Sequence, residues 1–153
     1  MNETSPSIMK YILIFSAIYA GIMLVINILL HGFDINLGTG ANIGMLIGAA
    51  YGAMVKFVTD GKRAPLKRET RLLSFGCLMS SVIISTAVMF VITPLVAGSQ
   101  GMAEIQQLLS ALKPLVWVSI FLVVGVIYYF MLSLVFGWVA RKYANKAIAS
   151  IEG

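Results

Sequence analysis

His31 and Asp34 are the residues best suited by type to do chemistry, an imidazole and a carboxylate three positions apart. A metal ion would need at least one further good ligand, and none is near in sequence. A catalytic triad would need a nucleophile and an orienting acid in the same aqueous place, and one histidine does not supply them. The pair reads as solvated loop residues. No Walker loop, HExxH or GxSxG occurs in the chain. The single Cys77 lies in an apolar run without a partner for an intrachain disulfide. It reads as a small buried hydrophobe. No catalytic residue, metal ligand or cofactor is assigned, and the chain reads as a non-enzyme.

The strongest pattern is one of missing side chains. Gly40, Gly44, Gly48 and Gly52 recur every four residues, with Ala49 and Ala53 beside them. Residues four apart share one face of a helix. A face without side chains lets another backbone approach closely, which is how small residues drive helix association in lipid. The ladder reads either as tight packing inside the protein's own bundle or as a face for a second copy or another protein.

A second pattern is Arg63-Ala64-Pro65-Leu66-Lys67-Arg68-Glu69. Pro65 suits the first turn of a helix, where its missing N–H costs nothing. Glu69 follows within reach of Arg68 or Arg71. The stretch reads as a basic lead-in to a helix, in contact with anionic headgroups or with a cytoplasmic partner. The longer phrase from Phe57 through Arg63, Ala64 and Pro65 to Glu69 resembles the loop of an uncharacterised family of small four-span bacterial inner-membrane proteins. In layout the resemblance covers the whole chain. It implies the architecture and carries no activity.

The remaining candidates are polar residues in apolar surroundings: Asn27, Asn42, Ser80, Ser81, Ser85 and Thr86, with Thr93 before Pro94 and hydroxyls on Tyr19, Tyr51, Tyr128 and Tyr129. Such groups usually hydrogen-bond between helices, at about 0.6 kcal/mol each. The deep apolar runs hold no Asp, Glu, Lys or Arg. Ion-coupled transporters usually keep one there, which argues against active transport.

The elements that must position these residues are spans. The chain is 59% hydrophobic and 11% charged over 153 residues. A soluble domain is about 45–50% apolar and about 25% charged. Crossing a bilayer takes about 20 apolar residues. Four runs qualify, at about 11–30, 41–58, 72–96 and 114–139, the second being short and glycine-rich, with Lys56 snorkelling from its end. The first is too long for a cleaved signal and reads as a retained anchor. Nine of the eleven basic residues precede the first run, follow the last or lie between the second and third, and Lys56 at the end of the second run joins them; only Lys113 falls elsewhere. The positive-inside rule then puts both termini and the central loop in the cytoplasm. The net charge of +5 therefore reads as a topology signal, not as nucleic-acid binding. Tyr11, Phe33, Phe57, Trp117, Trp138 and Tyr143 are expected at the headgroup level. In the second outer loop Met102, Ile105, Leu108, Leu109 and Leu112 recur at helical spacing and predict a short amphipathic surface helix.

The expectation is one integral domain over 1–153, an all-α four-helix transmembrane bundle of a bacterial inner membrane. Its function is expected to be binding of a membrane partner, as in an immunity protein against a membrane-acting toxin or an accessory subunit. The alternative is a small oligomeric channel or transporter built around the second and third spans.

Overall fold

In lipid no water is present to satisfy a backbone amide, so each span must bond within itself as a helix. The computed structural model describes the backbone of residues 7–33, 40–111 and 113–152, and among these it is all helix joined by short turns. The helices are α1 (Ile8–Phe33), α2 (Gly40–Gly61), α3 (Lys67–Ala111), α4 (Pro114–Leu134) and α5 (Ala140–Glu152). A π-helical turn, Val135–Val139, carries α4 into α5 without a break. Among the described residues four stretches are long and apolar enough to cross a membrane: Ile8–Leu29, Asn42–Gly61, Lys67–Val91 and Pro114–Lys146. The protein is a multi-pass membrane protein, and each stretch overlaps a span expected from the sequence.

The packing is concentrated at the end that holds the 61–66 turn. α1 lies against both α2 and α3, α4 leans on α3, and the π turn and α5 close against α2. Phe15, Leu46, Leu73 and Phe136 fill the centre and are fully buried. Lipid tails are as apolar as leucine, so this contact is held by van der Waals fit and not by the hydrophobic effect. Fit requires small residues where helices touch. α2 meets its neighbours through Ala49, Ala50 and Ala53, all fully buried. α3 meets α1 at Gly76, where a Cβ would lie 3.0 Å from Ile12 Cγ1 and closer still to Ile12 Cδ1.

Three expectations change. The amphipathic segment after the third span is not a separate surface helix. It is the far end of α3, which runs unbroken for 45 residues, about 67 Å at 1.5 Å per residue. Pro94 lies inside α3 and does not end it; membrane helices tolerate an internal proline when neighbouring groups satisfy the freed carbonyl. The side chains of Met102, Ile105, Leu108, Leu109 and Leu112 lie outside the described residues, as do His31 beyond its backbone and Asp34 altogether. Tyr11 and Phe57, expected at the interface, are buried against each other with ring centroids 4.8 Å apart. Pro65 falls two residues ahead of α3, outside its first turn. There the proline restricts Ala64 to extended backbone. Cys77 is fully buried, as expected of a small hydrophobe.

Candidate functional site

α2 is a helix with two small-residue faces. Its alanine face is consumed by the bundle. Its glycine face points the other way. A Cβ built on Gly44 or on Gly48 meets nothing within 4 Å. Gly52, one turn further, is the exception, since its Cβ would sit 2.9 Å from Ile18 Cδ1 of α1. The ladder thus divides: Gly52 packs inside the protein, while Gly44 and Gly48 line a shallow open strip. Gly40 opens α2, and its surroundings lie outside the described residues. Ile47 and Tyr51 lie on the same open face, 39% and 46% exposed. The spacing 44, 47, 48, 51 is that of one side of a helix. Other apolar residues exposed on the bundle, such as Leu122 and Phe130, present bulk to the lipid. Only here does the described lipid-facing surface offer bare backbone at successive turns.

The turn beneath this strip is held by a chain of charged contacts. Asp60, in the last turn of α2, binds Lys10 Nζ of α1 and Lys56 Nζ of its own helix, each at 2.9 Å. Tyr11 Oη donates to the same carboxylate at 3.4 Å. Lys62 follows with φ 47°, a left-handed backbone on a non-glycine residue. That conformation ends α2 and turns the chain, and it costs an L-residue about 1–2 kcal/mol. Arg63 then reaches forward as a fork. Its Nη1 and Nη2 donate to Glu69 Oε2 and Oε1 at 2.7 and 2.8 Å. Its guanidinium lies 5.7 Å from the centroid of Phe57. Glu69 Oε2 also accepts the Leu66 N–H at 2.8 Å, while the Leu66 carbonyl takes the Thr70 N–H at 2.8 Å. Leu66 is therefore the N-cap of α3, and Glu69, three residues on, caps its amide as in half of a capping box.

This explains the spacing of Phe57, Arg63, Pro65 and Glu69 seen in the sequence. Arg63, and not Arg68 or Arg71, is the partner of Glu69. Neighbours one or two apart on a helix face away from each other, whereas the turn brings Arg63 back onto the first turn of α3. Sequence reasoning missed Arg63 as a clamp, although its separation of six residues across a proline was the available signal.

The intramembrane polar candidates separate as well. Ser80 meets Ser16 across α3 and α1 at 2.6 Å, and Ser85 meets Tyr19 Oη at 3.1 Å. Ser81 and Asn27 instead bond to carbonyls of their own helices, those of Leu78 and Met23, each at 2.8 Å. Asn42 is exposed at the start of α2. Ser74 was not singled out in the sequence, yet its Oγ is buried and has no partner among the described residues. The π turn was also unforeseen. A Cβ at Gly137 within it would lie 3.8 Å from Thr70 Cγ2. Among the described residues no three His, Cys, Asp or Glu side chains converge.

No family model, no curated protein and no solved structure matched the chain.

Proposed function

We propose that this is a non-enzymatic inner-membrane protein of a bacterium, with both termini in the cytoplasm, that works by docking a helix of another membrane protein onto the open face of α2. The observation that carries the reading is the bare strip at Gly44 and Gly48, where an added Cβ meets nothing within 4 Å. A lipid chain fills such a strip poorly. A helix fills it well, because two backbones approach closely and Cα–H groups reach carbonyls across the contact. The protein's own packing uses alanines on the opposite side, so a docked helix displaces nothing. An immunity protein that seizes a membrane-acting toxin, or an accessory subunit of a larger complex, is a concrete form of this role.

The channel alternative draws less support. Ser74 and Ser81 on α3 are buried in the packed core. At the basic end α1 is tied to α2 through Lys10 and Asp60, and α1 and α3 are joined by the Ser16–Ser80 hydroxyl contact.

The test is a photoreactive residue placed at Ile47, with Leu122 as the control, in cells that make the protein at its natural level. The reading expects a cross-linked product of defined mass from Ile47 alone, abolished by Gly48→Leu. Equal products from both positions, or a product indifferent to Gly48→Leu, would count against it.

A further inference from the structure

The charges at the basic end do not balance, and the imbalance is localised. The two described carboxylates of this end are spent, Asp60 on Lys10 and Lys56 and Glu69 on Arg63. Lys67, Arg71 and Arg141 make no ion pair among the described residues and are exposed. They are not scattered. Thr70 Cγ2 lies 3.8 Å from where a Cβ of Gly137 would stand, at the place where the start of α3 passes the π turn. Lys67 and Arg71 flank Thr70 on one side of α3, three residues before it and one after. Leu73, on the opposite flank of Thr70, is buried. Arg141 lies four residues beyond Gly137, on the side of α5 that stays exposed while Ala140 and Ala144 are buried. Helical spacing therefore sets all three cations on the exposed side of this crossing, the notch.

Below the notch the surface turns apolar in register. Trp138 in the π turn and Leu134 and Phe130 on α4 follow one another, all exposed, with Trp138 at 61%. Lys142 Nζ sits 4.0 Å from the centroid of the Trp138 ring and steadies it at the boundary. Three cations above a vertical apolar lane match a molecule with an anionic head and an acyl chain. A soluble anion would use only the head.

We propose that the exposed side of the crossing between α3 and the π turn binds the phosphate headgroup of an anionic phospholipid, with an acyl chain lying along Trp138, Leu134 and Phe130. This site is separate from the α2 face and does not depend on the docking reading. Arg71 and Arg141 supply planar forks that take two phosphate oxygens each, and Lys67 adds a point charge. At an anionic membrane surface each basic residue contributes about fivefold in binding, so removing all three lowers the preference on the order of a hundredfold.

The experiment uses the full chain with Trp117→Phe, so that Trp138 alone reports, in phosphatidylcholine vesicles containing brominated phosphatidylglycerol or brominated phosphatidylcholine. Brominated phosphatidylglycerol is expected to quench Trp138 in clear preference. The triple substitution Lys67→Gln, Arg71→Gln and Arg141→Gln is expected to abolish that preference. The double substitution Lys62→Gln and Arg68→Gln removes two charges away from the notch and is expected to preserve it. Arg141→Gln alone, with a partial loss, serves where the triple variant fails to fold. Equal quenching by both lipids would overturn the proposal. So would equal loss in the triple and the double variants, since that marks diffuse attraction to the surface. Loss of the preference on adding soluble glycerol phosphate would overturn the lipid as occupant.

Discussion

Replacing Arg63 by alanine should loosen the turn that joins α2 to α3 by about 2 kcal/mol. The figure follows from the geometry. Two charge-assisted hydrogen bonds are lost, at 2.7 and 2.8 Å, and Glu69 is left without its counter-ion while only 12% exposed. Breaking a fully buried pair costs about 3–5 kcal/mol, and a fully exposed pair is worth about 0.2–1 kcal/mol. Arg63 is 38% exposed, so water screens part of the interaction and the value falls between these limits. Glu69→Ala should cost more, because the Leu66 amide also loses its cap, worth about 1 kcal/mol. The assay is equilibrium unfolding in mixed micelles with rising dodecyl sulfate, read by tryptophan fluorescence and circular dichroism for the two single variants and the double variant. The double-mutant cycle removes the capping contribution and isolates the pair, with an expected coupling of about 1–2 kcal/mol. Arg63→Lys should recover less than half of the loss, since an ammonium cannot match both carboxylate oxygens in one plane. A coupling below about 0.5 kcal/mol, or full recovery by lysine, would refute the clamp.

Further outcomes follow from other contacts. Gly76→Ala should destabilise by about 1–3 kcal/mol, because Ile12 must leave its place against α3; an unchanged unfolding midpoint would mean that α1 and α3 are not so close. Lys62→Gly should stabilise by up to about 1 kcal/mol by relieving the left-handed backbone, and a loss of stability would contradict that backbone geometry. Ser74→Ala should raise stability by about 1 kcal/mol, since it deletes a buried hydroxyl without a partner; a drop would show that the hydroxyl serves a bond. Cysteines at Asn36 and Lys62 should label from opposite faces of intact cells, and labelling of both from outside would overturn the proposed orientation.

The spans were legible because lipid leaves the sequence few choices. Long apolar runs bounded by Lys10, Arg71 and Arg141 have one economical arrangement. What escaped depended on contacts between segments. Hydropathy cannot tell whether Gly48 faces a neighbour or the bilayer, since both environments are apolar; only the placement of Ala49, Ala50 and Ala53 against the bundle reveals that Gly48 faces outward. Phe57 looked interfacial because it adjoins Lys56 and Asp60, yet Tyr11 and Arg63 enclose it. The continuity of α3 was masked by Gly98, Gly101 and Pro94, residues that usually punctuate helices. Each weakens a helix locally, but none supplies an alternative home for the backbone hydrogen bonds.

Gly48 and Gly52, one turn apart on α2, are expected to behave differently. Gly48→Leu should leave the unfolding midpoint of the isolated protein unchanged, because its Cβ enters open space, while abolishing the cross-link from Ile47. Gly52→Leu should lower the midpoint through its clash with Ile18. If Gly48→Leu lowers the midpoint as far as Gly52→Leu does, or leaves the cross-link intact, the open face of α2 is not where this protein meets its partner.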